Sequence, residues 1–148
     1  MKTMLDKATR DEIIQRIHSL NESCVAQWGK MNVYQMLKHC SLWEEMVLGR
    51  QQYKQSFIGK IFGRSALKSV LKDDSPLRRN TPTAPGLAIK ETNGNVANQK
   101  ATWISLLREY EQFPEYQFIH PFFGKMTREQ IGCMAFKHAD HHLRQFGC

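Results

Sequence analysis

Along most of the chain, apolar residues recur at the spacing of a helix face rather than in the alternation of a half-buried strand. The segment TRDE at 9–12 reads as a capping box, Thr9 receiving backbone donors and Glu12 reaching back, and Ile13, Ile14, Ile17 and Leu20 follow as the apolar face of a first helix. NVYQ at 32–35 opens a second with Asn32 as cap; Met36, Leu37, Cys40, Trp43 and Val47 form its apolar side, and it ends near Gly49. A third is predicted from about Asn98 to Tyr110, burying Trp103, Ile104, Leu106, Leu107 and Tyr110, with Pro114 beyond its end. TREQ at 127–130 caps a fourth, on which Ile131, Met134, Ala135, His138 and His142 share one stripe. Nothing reads as repeated strands joined by hairpin turns, and FIHPFFGKMT at 118–127 reads as an aromatic turn pressed against the fourth helix.

The segments between the second and third helices complete the picture. Residues 50–72 place Lys60, Arg64, Lys68 and Lys72 four apart, which on a helix makes a basic stripe beside Ile61, Leu67, Val70 and Leu71; Gly59 and Gly63 weaken that helix at its start. Residues 73–98 hold three of the five prolines and no aromatic residue, a long connection that either covers something or links loosely. The expected fold is therefore all-α, a four-helix bundle with a long crossover after helix two, formed by residues 1–148 as one domain.

Composition narrows the partners. The net charge of +7 comes almost wholly from residues 50–72, which carry six basic and no acidic side chains. The simplest reading is a solvated face flanking a packed one, with an anion-binding surface as the alternative. Only Tyr53, Phe57 and Phe62 interleave the basic residues, so nucleic acid is the weakest of the anionic options. No apolar run approaches a membrane span and the first residues are charged throughout, so a cytoplasmic protein with no membrane partner is expected. Cys24, Cys40, Cys133 and Cys148 show no CxxC pair and read as reduced thiols.

KHADHHLRQF at 137–146 packs three of the six histidines into five positions. His138 and His142, one turn apart on the stripe with Ile131, Met134 and Ala135, point inward. Leaving two buried imidazoles unsatisfied costs about 1–3 kcal/mol each, so they are either hydrogen-bonded near the helix C-terminus or share an ion. His39, on the second helix with Gln35, Met36 and Trp43, can come opposite the pair and make a three-imidazole set with open positions. His141 reads as a surface or supporting residue, and His18 and His120 have no paired spacing.

MLKHC in the second helix, together with HPFFGKMTREQIGCMAFKHADHHLRQFG at the end, resembles the DinB/YfiT-like superfamily of four-helix proteins, within a branch of uncharacterised function. FGRSALKSVL and NTPTAP match it more loosely. The resemblance implies a divalent metal, zinc or nickel, held by His39, His138 and His142, and the HHxxQ ending of His141, His142 and Gln145 is similar to its pattern around the last ligand. It also implies that some relatives are thiol-dependent transferases or isomerases, and that such bundles often pair as homodimers.

Two readings follow. One is a metal-dependent enzyme that transfers a low-molecular-weight thiol to a small electrophilic substrate, with Gln145 orienting a ligand and Trp43 and Gln35 lining the pocket. The other is an interaction module in which the ion is structural and the basic stripe meets an acidic partner. A zinc hydrolase of the HExxH kind is disfavoured, because Ala139 stands where the glutamate would be and Asp140 should point away from the ion.

Overall fold

The computed structural model describes residues 1–83, 85–113 and 118–148. Among these residues, five helices, α1 (Lys7–Ser19), α2 (Val33–Val47), α3 (Phe57–Val70), α4 (Val96–Arg108) and α5 (Arg128–Gln145), are joined by short 3-10 turns at Pro85–Leu87 and Glu109–Gln112 and by a small hairpin. α1, α2, α4 and α5 pack on one another as a helical bundle, with α2 lying along both α4 and α5. α3 belongs to the crossover between α2 and α4 and sits against the hairpin.

Local signals set most helix starts. Asn32 with Gln35 and Thr127 with Gln130 form complete capping boxes, each side chain bonding the other residue's backbone N–H. α1 departs from expectation: its cap is Asp6, whose carboxylate accepts both the Thr9 N–H and the Thr9 hydroxyl at 2.8 Å. A charged acceptor outcompetes a hydroxyl here, and the helix begins earlier than TRDE suggests. α4 is likewise capped by Asn95 and begins at Val96, which is buried, and its end at Arg108 passes into the 3-10 turn that carries Tyr110. Pro114 lies outside the described residues.

The aromatic turn is a hairpin. β1 (Phe118–His120) pairs antiparallel with β2 (Gly124–Met126), Phe118 opposite Met126 and His120 opposite Gly124. Strands of three residues are too short for an alternation to stand out in the sequence. His120 Nδ1 closes the turn by accepting the N–H groups of Phe122 and Phe123 at 3.1 Å, and burial holds its pKa down to about 4, so the ring stays a neutral acceptor.

α3 forms as the basic periodicity predicts, but its packed face differs. Gly59 and Gly63 are buried against the Phe122 backbone, where a Cβ at either position would collide with the Phe122 carbonyl. The glycines therefore permit close approach rather than merely loosening the helix. Leu67 continues that buried face, whereas Ile61 points outward. No helix among the described residues is long and apolar enough to cross a membrane.

Candidate metal centre

The bundle brings His39 of α2 against His138 and His142 of α5, and all three are buried, 4–8 % exposed. Their rings lie 4.7–5.1 Å apart between centroids, and one nitrogen from each falls within 4.8 Å of the others. The i, i+4 spacing puts the α5 pair on one face, and the packing of α2 along α5 supplies the third ring.

Supporting hydrogen bonds fix the orientation of two rings. His39 Nδ1 donates to the carbonyl of Leu87 at 2.9 Å, a residue of the 3-10 turn in the crossover. His142 Nδ1 donates to Gln145 Oε1 at 2.9 Å, and Gln145 Nε2 in turn donates to the Trp28 carbonyl at 2.8 Å, which assigns the amide orientation. Both rings therefore carry their proton on Nδ1 and present Nε2 as a bare lone pair. Gly29, at φ +81°, leaves room for the Gln145 amide, since a Cβ there would stand 2.6 Å from its nitrogen. The third ring, His138, is stacked on the Trp43 indole at 4.7 Å and 21°, which sets its plane.

The donor set suits a divalent transition ion. His39 Nε2 and His138 Nε2 are 3.1 Å apart, a hydrogen bond when His138 Nε2 carries the proton and also close to the separation of roughly 3 Å or slightly more expected for two nitrogens each about 2.0–2.1 Å from one ion. His138 Nδ1 is buried without a hydrogen-bond partner among the described residues, so this ring's polar satisfaction depends on what its Nε2 meets. Burial, before anything else, holds all three imidazoles below their ordinary pKa, His142 at about 3, and neighbouring imidazoles push the same way, His142 and His39 on His138, His39 on His142, and His141 on His39. Neutral rings are the form that coordinates. Among the described residues no carboxylate joins the group: Asp140, two positions from each α5 histidine, is held by Arg16 at 2.8 Å and Arg144 at 2.7 Å.

The remaining residues singled out from the sequence fall in different places. Gln35 is used in the α2 capping box, with its amide nitrogen 3.4 Å from the Ile89 carbonyl, rather than among the imidazoles. His141 is half-buried beside Trp28 at 5.8 Å and lines a groove of about 320 Å³ with Trp28, Leu77, Arg79 and Arg144. Cys40 turns away, its thiol toward Met36 at 3.8 Å, and burial raises its pKa. The roles of the Leu87 carbonyl and the Trp28 carbonyl are not visible in the sequence, because a main-chain acceptor leaves no signature in residue types.

A three-imidazole site of this kind can hold a divalent ion without neutralising it, which leaves room for an anionic ligand. Comparison with curated proteins and with solved structures gives no match. A family match instead extends over residues 1–147, and the chain accordingly belongs to the family described as Protein of unknown function (DUF1569).

Proposed function

We propose that this protein is a metal-dependent enzyme that holds zinc or nickel through His39, His138 and His142 and transfers a small thiol to an electrophilic substrate. The observation that carries the reading is the pair of Nε2 lone pairs locked inward by the Leu87 carbonyl and Gln145, with three nitrogen donors gathered and, among the described residues, no carboxylate or thiol in the group. The resemblance to the DinB/YfiT-like superfamily supports the same ligand set and suggests the thiol.

When bound, the ion supplies a Lewis acid with open positions that lowers the pKa of a thiol or water. The chain's own residues do the positioning. Leu87 and Gln145 hold the Nδ1 protons, Trp43 holds the His138 ring plane, and the crossover turn at Leu87 shields His39 from water. In the transfer, the thiol loses its proton to solvent and its sulfur forms a bond to the electrophilic carbon, while a leaving group departs with the bonding pair. Fixing thiol and electrophile side by side removes the entropic cost of their encounter from the chemical step.

The near-complete burial of the three rings favours a second reading, a structural ion in a binding module. Cobalt-substituted protein titrated with glutathione separates the two. A change in the visible spectrum, with conjugation of an epoxide or chlorinated aromatic that is lost in His142→Ala, supports the enzyme. An unchanged spectrum and no conjugation leave the structural reading.

A further inference from the structure

We propose that the outward face of α3 docks on an anionic phospholipid bilayer. Four large apolar side chains, Phe57, Ile58, Ile61 and Phe62, are 57–77 % exposed. At positions i, i+1, i+4 and i+5 they form one compact patch over the first turns of the helix. The opposite face is already used, its glycines seated on the hairpin and Leu67 buried. Nothing among the described residues covers the patch, and a contiguous apolar surface rimmed by polar groups marks an interaction site.

The charge around it selects the occupant. Lys54, Lys60, Arg64 and Lys68 lie on or just before the helix that carries the patch, Lys72 just beyond its end pairs with Asp73 at 3.7 Å, and residues 50–72 contain no acidic side chain. Lys54, Lys60 and Lys68 form no ion pair among the described residues, and Arg64 donates to the Lys125 carbonyl rather than to a carboxylate. A second copy placed on this face would set two acid-free basic segments and two positive helix N-termini against each other. Nucleic acid offers phosphates but nothing for Ile58 and Ile61. The exposed side chains stand on the outer face of a helix, which suits a deformable surface. An apolar face that enters the acyl boundary while flanking lysines and arginines meet anionic headgroups is the arrangement of an interfacial helix. The solvated-face reading of the basic stripe presumed Ile61 packed inward, and the exposure of Ile61 is what changes it.

The test is co-sedimentation of the full chain with vesicles of phosphatidylcholine alone or with about one-third phosphatidylglycerol. Binding is expected only to the anionic vesicles, with about five-fold of affinity per basic side chain and strong weakening by salt. Phe57→Ser with Phe62→Ser should lower it ten-fold or more, and so should glutamine at Lys60, Arg64, Lys68 and Lys72. Both variants should retain wild-type helicity and metal content, since α3 does not contact the imidazoles; Ile58→Ser with Ile61→Ser is the substitute pair if either misfolds. No binding to anionic vesicles at low salt overturns the proposal. A concentration-dependent dimer abolished by the phenylalanine variant reassigns the face to a second copy. DNA binding lost only in the glutamine variant reassigns it to nucleic acid.

Discussion

α2 buries a polar group on each of two faces, and the two are resolved in opposite ways. Toward α5, His39 is neutral by giving up a proton and so offers a lone pair to whatever cation fits among the three rings. Toward α4, Glu44 is fully buried, accepts the Tyr110 hydroxyl at 2.6 Å through Oε2, and leaves Oε1 without a hydrogen bond among the described residues. Burial pushes the Glu44 carboxyl up to about 8; the Tyr110 hydroxyl and the nearby Trp103 indole, which is not within hydrogen-bond geometry, pull the other way. Desolvation disfavours charge on both faces. An imidazole answers by keeping a lone pair that could take a metal ion and a carboxyl by keeping its proton, so the same physics yields a candidate metal site on one side and a protonated acid on the other.

The sharpest break of that comparison is at the imidazoles. Changing His142 to alanine should take bound divalent metal from about one ion per chain to background, measured by elemental analysis after dialysis. Acid should do the same more gradually. The folded imidazoles lie below the unfolded value of 6.5, so the stability of the metal-free protein is full above that pH and falls as pH drops toward the folded values, about 3 for His142. Proton competition for the metal follows the same direction.

Glu44 should respond with the other sign. Its folded pKa of about 8 exceeds the unfolded 4.5, so the folded state holds the extra proton and stability falls as pH rises between those values. Glu44→Gln removes the slope and should stabilise the chain relative to wild type by on the order of 3–5 kcal/mol at about pH 8.5, read by urea denaturation at several pH values. A wild-type chain with no such alkaline loss would show Glu44 ionised in place.

Smaller effects test how each face is supported. Gln145→Ala frees the His142 Nδ1 proton and the Trp28 carbonyl, and should weaken metal affinity about 10–100-fold while leaving some binding. Gln35→Ala should leave metal content unchanged and cost about 1 kcal/mol or less, because it removes half of a capping box and Asn32 still caps α2. Loss of metal from the Gln35 variant would place that residue at the site after all.

How much of this was legible follows the range of the interactions. The capping boxes at Asn32 and Thr127, and the inward pair His138 and His142, rest on contacts within four residues, so their spacing alone predicts them. The same local logic misplaced the start of α1, because Asp6 and Thr9 are both competent caps and the choice depends on which acceptor is stronger. Glu44 carried a weak signal: it lies seven residues after Leu37 and three before Val47, on an otherwise apolar stripe, yet beside Glu45 it reads as an ordinary charged pair. Gly59 and Gly63 read as weakening the start of their helix, and only the Phe122 backbone packed against them reveals close approach.

By itself the sequence determined the helical periodicity, the four bundle helices, the concentration of charge in residues 50–72, and the residue types able to hold an ion, all properties set by neighbours along the chain. Tertiary structure decided which residues meet. It brought the Leu87 carbonyl, 48 residues away, onto His39 and the Trp28 carbonyl, 117 residues away, onto Gln145, and so selected which nitrogen of His39 and of His142 faces inward. It also turned Ile61 outward and Glu44 inward, because the face a helix buries is chosen by the partner packed against it and not by its own periodicity.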